Sequence, residues 1–347
     1  SATTIPLRLL VVGDSSMADA IDRLKGEWAA QTGSTLQVDR AARLDPAATA
    51  PPDADALVVA SDQLAELAAR SWVVAMSPEV IRQRDEVAAG AAGTSSSQGS
   101  WSEVFPLLRA REAVWGSDTV AVPFGSPVLT LYYRADLLEK LGARPPRTWS
   151  EYEKLARLFE DRTKLGELAP PSGTPWCGAM EPLGPGWAGT MLLARAAPYV
   201  THRANYSALF QIDTMEPLID GPPFVRALEE QAAALGAHAG EQIRSDPDAV
   251  RRAFWAGQCG MAVTWPSATD KGTASSGRPI RLGLVELPGS KDVYNIAPQA
   301  WETRRAGEDP HVPLLGVAGR LGMVTPRCPA PDAAFRLLLW LSAPQRN

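Results

Sequence analysis

Tryptophan is the first residue type to ask for a chemical reason. The 347-residue chain holds 11 Trp against 7 Phe and 6 Tyr, an inversion of the usual order. A flat indole offers a wide apolar face, while Asp, Asn and Arg supply directional hydrogen bonds. The two together suit a molecule with a C–H face and a hydroxyl rim, as a sugar ring has. Trp28, Trp149 and Trp340 lie in helical apolar stripes, so they are expected in cores. Trp187, Trp265 and Trp301 come from loops or strand ends, where packing and ligand stacking are both open to them.

Covalent and metal chemistry find little support. Gly316, Gly319 and Gly322 are spaced G-x-x-G-x-x-G rather than as a dinucleotide fingerprint, and there is no Walker A loop. Neither a G-x-S-x-G elbow nor an H-E-x-x-H helix occurs. His202, His238 and His311 are too scattered for a triad or a metal cluster. Cys177, Cys259 and Cys328 have no zinc spacing. They read as three buried apolar residues, or alternatively as a Cys177–Cys259 disulfide with Cys328 unpaired. Carboxylates are plentiful, but nothing pairs two of them as a glycosidase requires. A net charge of -5 without any Lys/Arg-rich run argues against a nucleic-acid partner. No cofactor and no metal are called for. The chemistry that remains is non-covalent recognition.

The elements that must position these residues alternate between strands and helices. Leu7 to Val12 reads as a buried strand and Gly13–Ser16 as a turn. A helix marked by Met17, Ile21, Leu24 and Trp28 then runs to Gly33, and Leu36 to Val38 begins the next strand. Ala56 to Ala60 is a second buried strand ending at Ser61-Asp62, where Asp62 fits either a helix N-cap or a ligand contact. In open α/β sheets, ligands bind beyond the carboxyl ends of such strands. Residues 86–100 are Ala/Gly/Ser-rich and read as a surface loop. Asp246-Pro247 starts a helix that Gly257 stops, the strand Cys259 to Thr264 follows, and Trp265-Pro266 comes off its end. Asn205-Tyr206-Ser207 is formally a glycosylation sequon.

Residues 121–152 link two halves of the chain. Pro123, Gly125 and Pro127 make a poor strand or helix interior but a good place for the backbone to cross between domains. Leu131-Tyr132-Tyr133 through Asp136-Leu137-Leu138 follows, then Gly142, Pro145, Pro146 and Thr148-Trp149 with Glu151 and Tyr152. Thr148 and Glu151 have capping-box spacing. This run resembles the lobe-crossing segment of the bacterial family 1 extracellular solute-binding proteins, the maltose-binding-protein-like receptors of sugar importers. Phe254 to Pro266, Arg281 to Gly289 and Val312 to Thr325 match further family segments in the same order.

The resemblance implies an α/β, two-lobed periplasmic-binding-protein fold. Each lobe would be a mainly parallel sheet flanked by helices, with the ligand cleft between lobes. The first lobe would take residues 1–124 plus 312–347 and the second 128–308, with hinge crossings near 121–128 and 308–316. The function implied is non-catalytic binding of an extracytoplasmic solute, a sugar or oligosaccharide, for delivery to an ABC transporter permease. The implied ligand-binding set is Asp14, Ser15, Ser61, Asp62 and Ser126 with Arg320 in the first lobe, and Trp187, Trp265 and Trp301 in the second. Of the tryptophans, Trp265 has the strongest claim, because a family segment matches there. The protein would act as a periplasmic or extracellular monomer, free or lipid-anchored. Its start at Ser1-Ala2-Thr3-Thr4 reads as a trimmed N-terminus, and its end at Asn347 falls short of the family's C-terminal helical section. Two competing readings remain. Tyr132-Tyr133 could ligate iron in a ferric-binding receptor of the same architecture, and a carbohydrate-active hydrolase or lyase is the enzyme alternative.

Overall fold

The computed structural model describes residues 5–82, 99–235, 239–267, 280–312 and 318–343. The Ala/Gly/Ser-rich run up to residue 98, His238, and residues 313–317 of the expected return crossing lie outside them. The chain forms two compact units, Ser1–Pro127 with Gly316–Asn347, and Val128–Leu315.

In chain order the first unit contributes β1 (Leu7–Val12), α1 (Ser15–Thr32), β2 (Leu36–Ala41), β3 (Ala56–Ala60) and β4 (Ala121–Pro123). The second contributes β5 (Thr130–Arg134), α2 (Ala135–Leu141), α3 (Trp149–Glu160), β6 (Cys177–Met180), α4 (Ala188–Val200), α5 (Pro222–Leu235), α6 (Pro247–Trp255), β7 (Cys259–Thr264), β8 (Leu282–Glu286), β9 (Asp292–Asn295) and β10 (Ala300–Thr303). The chain then re-enters the first unit with β11 (Arg320–Val324) and α7 (Pro331–Leu341).

The first unit's sheet has the order β2-β1-β3-β11-β4, and the second's β8-β5-β7-β6. Each sheet is mainly parallel, as expected, with one strand reversed: β11 in the first unit and β5 in the second. Pairing is parallel in β1–β2, β1–β3 and β6–β7, and antiparallel in β3–β11, β4–β11, β5–β8 and β5–β7. In the first sheet the reversal comes from the double crossing. β4 carries the chain out of the first unit and β11 brings it back, so the two lie side by side in opposite directions.

Local chemistry explains the element ends. Asp14 caps α1 by accepting the Met17 N–H at 2.9 Å, and Gly33 closes it at φ 73°. Asp246 caps α6 through the Ala249 N–H at 2.7 Å, with Pro247 in the first turn. Thr148 accepts the Glu151 N–H at 3.2 Å, as its capping-box spacing predicts. The reciprocal half differs: the Glu151 carboxylate takes the Arg147 N–H at 2.8 Å, one residue before the cap.

The core of the first unit packs α1 and α7 onto one face of the sheet, where Trp28 and Trp340 meet edge to face at 5.3 Å. In the second unit Trp149 is fully buried beneath the guanidinium of Arg195, 4.3 Å from the ring centre. Arg195 is itself buried and ion-paired with Glu181. All three tryptophans expected in cores are thus in cores. The cysteines are free and buried. Cys177 and Cys259 face each other in register across β6 and β7 without a disulfide. Asn205 of the formal sequon is a structural tether. Its amide donates to the Val200 and Tyr294 carbonyls and its oxygen accepts the Ile296 N–H, fastening the β9–β10 hairpin to the end of α4.

Candidate functional site

Two sets of side chains answer the sequence reading, one in each unit. In the first unit, β1, β3 and β4 run the same way and end at one edge of the sheet, where β11 begins. Asp14 and Ser15 follow β1, Ser61 and Asp62 follow β3, Ser126 follows β4, and Arg320 opens β11. The backbone ties these ends together. Ser61 N–H donates to Gly319 O at 2.9 Å, Arg320 N–H to Gly125 O at 3.2 Å, and Phe124 N–H to Arg320 O at 2.8 Å.

Each side chain at that edge is placed by a different partner. Asp14 Oδ1 is committed to the α1 cap and to the Ser16 hydroxyl at 2.7 Å, while Oδ2 lies 3.6 Å from the Arg320 guanidinium. Partial burial works against the Asp14 charge. The Met17 N–H, the Ser16 hydroxyl and Arg320 outweigh it, and hold the carboxyl below its ordinary value. Arg320 also donates to the Val12 and Gly13 carbonyls at 3.1 and 3.3 Å. Ser15 is exposed at the first position of α1. Asp62 is not an N-cap: it sits exposed inside the 3₁₀ turn Ser61–Gln63, whose cap position is Ala60. Sequence reasoning missed Glu112, whose carboxylate accepts the Ser126 hydroxyl.

A glycine leaves room for this group. A Cβ on Gly319 would lie 2.7 Å from Ser126 Oγ, and 3.3 Å from both Glu112 Oε2 and Ser61 Oγ. Three oxygens from three separate segments therefore surround the Gly319 Cα.

In the second unit Trp187 and Trp265 pack edge to face with ring centres 5.1 Å apart, both half-buried. Trp187 follows Gly186, which has φ 83°, and leads into α4. Trp265 comes off β7, whose last residue Thr264 anchors its hydroxyl on the Pro247 carbonyl at 2.6 Å. The Trp265 indole N–H donates to Asp248 Oδ1 at 3.1 Å, and its carbonyl accepts from Arg251 at 3.5 Å and from the Tyr132 hydroxyl at 3.4 Å. Asp248 and Arg251 are themselves paired along α6. Ring and backbone of Trp265 are thus both held, which leaves the indole little freedom to lose on contact with a ligand.

Trp301 does not join this pair. It lies on β10, 39% exposed, against Tyr294 and Tyr199 at 5.3 and 5.7 Å, with the Arg226 guanidinium 4.9 Å from its ring centre. Tyr199 is near the C-terminal end of α4 and Trp187 precedes its N-terminus, so about 18 Å of helix separates the two groups. The two adjacent tyrosines meet different neighbours. Tyr132 is buried against Phe254 at 5.6 Å, with its hydroxyl on the Trp265 carbonyl, while Tyr133 covers Gly283 of β8. Among the described residues no group of three His, Cys, Asp or Glu side chains could hold a metal ion.

Among curated protein sequences none matches the chain. Among solved structures, maltose-bound MalE3 of T. maritima superposes with a TM-score of 0.63 at 17% identity, covering 98% of this chain and 78% of that one. An ABC transporter solute-binding protein from Agrobacterium radiobacter, in complex with ribitol, gives 0.63 at 17% identity, covering 99% and 77%. An ABC substrate-binding protein from Listeria monocytogenes, in complex with cycloalternan, gives 0.57 at 15%, covering 99% and 76%. At such identities the shared property is the two-lobed fold. The model of the bacterial extracellular solute-binding protein family matches residues 25–345, and the chain belongs to that family.

Proposed function

We propose that the protein binds a hydroxyl-rich solute, a sugar or polyol, outside the cytoplasm and hands it to an ABC transporter permease without altering it. The observation that carries this reading is the Trp187–Trp265 pair, with Trp265 clamped at ring and backbone. A fixed indole stacks on the C–H face of a ring or polyol chain, while serine hydroxyls and carboxylates exchange hydrogen bonds with its hydroxyls. The strand-end edge of the first unit presents groups of that kind through Asp14, Ser61, Asp62 and Ser126. The ligands of the fold's neighbours, maltose, ribitol and cycloalternan, are of this chemical kind. A solute that touches both sets would favour whichever arrangement of the two units lets it do so, and residues 121–128 would serve as one hinge crossing. The protein would work as a monomer, free or lipid-anchored.

Titration calorimetry against a panel of sugars and sugar alcohols tests the proposal. Saturable one-to-one binding of at least one member is expected. Heat from none of them, with the protein folded, would contradict it, as would turnover of an oligosaccharide detected by its new reducing ends.

A further inference from the structure

We infer that Glu112 sets the charge of the admitted solute, so that the first unit's edge accepts uncharged polyhydroxyl compounds and rejects their carboxylated counterparts. The inference rests on the function proposed above and narrows its substrate class.

Glu112 closes the short helix Pro106–Arg111, its N–H donating to the Leu108 carbonyl at 2.9 Å. Its carboxylate uses one oxygen to accept the Ser126 hydroxyl; the other, Oε1, is buried and has no hydrogen-bond partner among the described residues. Arg109, one turn earlier, makes no ion pair with it. Among the described residues no cation pairs with the Glu112 carboxylate. Arg320, the guanidinium at the same edge, is directed to the Val12 and Gly13 carbonyls and to Asp14. An anionic solute would find that donor already engaged.

The geometry around Gly319 brings the charge to the recognition group itself. Glu112 Oε2 and Ser126 Oγ both lie within 3.3 Å of where a Cβ would stand, as does Ser61 Oγ. Because Ser126 gives its proton to Glu112, it faces other groups with lone pairs only. Ser126 thus offers a solute lone pairs, which a hydroxyl satisfies and a carboxylate does not. A carboxylate or phosphate brought to this edge would add like-charge repulsion to unmet acceptors. A repulsive element of this kind separates solutes that share every other contact.

The test uses probe pairs that differ only in oxidation of one terminal carbon: ribitol with ribonate, mannitol with mannonate, and maltose with maltobionate. Each pair is titrated calorimetrically into the wild type and into Glu112→Gln, which keeps an acceptor for Ser126 and removes the charge. The wild type is expected to bind the neutral member of a pair at least about thirtyfold more tightly, and Glu112→Gln to narrow that ratio about tenfold. Ser126→Ala, which leaves the charge in place, is expected to weaken neutral binding while keeping the preference. A wild type that binds an acid as tightly as its neutral partner overturns the inference and leaves the proposed function standing; this comparison needs no variant. A ratio unchanged in folded Glu112→Gln also overturns it. If no probe of either kind binds, the proposed function fails and takes this inference with it.

Discussion

Replacing Trp265 by Ala should separate binding from stability, and the structure gives both magnitudes. The substitution removes the indole donation to Asp248 at 3.1 Å and the edge contact with Trp187 at 5.1 Å. Asp248 keeps its pairing with Arg251, and the contacts of Arg251 and Tyr132 with residue 265 are to its carbonyl, so these survive truncation. Loss of an aromatic pair and one hydrogen bond at a half-buried position amounts to about 1–2 kcal/mol. For a chain of this size that lowers the melting temperature by only a few degrees. The affinity effect is larger. Removing a held aromatic anchor costs about 2 kcal/mol or more, roughly thirtyfold in Kd. Trp149→Ala is the contrasting control. That ring is fully buried under Arg195, and its loss should cost about 3–5 kcal/mol of stability. Thermal melts and calorimetry with the best-binding sugar, run on both variants, read the two effects. A folded Trp265→Ala protein of wild-type affinity would refute the stacking role. Destabilisation as large as that of Trp149→Ala would show Trp265 to be a core residue.

Three further outcomes follow from particular contacts. Asp14 is held below its ordinary carboxyl value, so its charged form stabilises the fold above the unfolded-state value and loses that contribution as the pH falls through the folded one. The melting-temperature gap between wild type and Asp14→Asn, which can still cap α1, should therefore be widest near neutrality and close in acid below about pH 4; a gap constant from pH 7 to 3 would contradict this. Burial pushes the Cys259 thiol well above its ordinary value, with the neighbouring Cys177 adding to the shift, and burial pushes Cys328 up to about 11. Native protein at pH 8 should accordingly resist iodoacetamide and take up three adducts only when unfolded, as mass spectrometry would show; rapid labelling of folded protein would count against the buried thiols. Gly178→Ala would place its Cβ 1.8 Å from the Ala156 carbonyl oxygen and should cost about 3 kcal/mol by forcing α3 from β6, whereas Gly189→Ala meets nothing within 4 Å and should leave the melt unchanged.

What the sequence revealed was mostly local. β3 is a continuous apolar run, β1 is broken only by Arg8, β7 carries no charge, and α1 and α6 carry their caps in adjacent residues, so their boundaries could be read directly. Residues whose roles depend on distant partners were harder. Glu112 lies in a charged surface-like stretch, and only the folding of β4 beside β11 brings Ser126 and Gly319 to it. The clamp on Trp265 left a faint signal: Asp248 and Arg251 stand one turn apart on the helix that feeds β7, so that helix starts beside the strand's far end. Trp301 was hard to place because its stretch has no period to betray which face it takes. Its surroundings come from α4 and α5, through Tyr199 and Arg226, and the β9–β10 hairpin that presents it carries no turn signal strong enough to have been read. The one reversed strand in each sheet was hidden for a related reason, since the direction of a strand after a domain crossing is a property of the whole path.

The central claim is that Trp187 and Trp265 contact the solute while the core tryptophans do not. Protein labelled with ¹⁵N at its tryptophan indoles and titrated with the best-binding sugar or polyol tests this most directly. Saturating shifts of the Trp187 and Trp265 Nε1–H signals are predicted, with those of Trp28, Trp149 and Trp340 unmoved. Unchanged Trp187 and Trp265 signals under saturating ligand would contradict it.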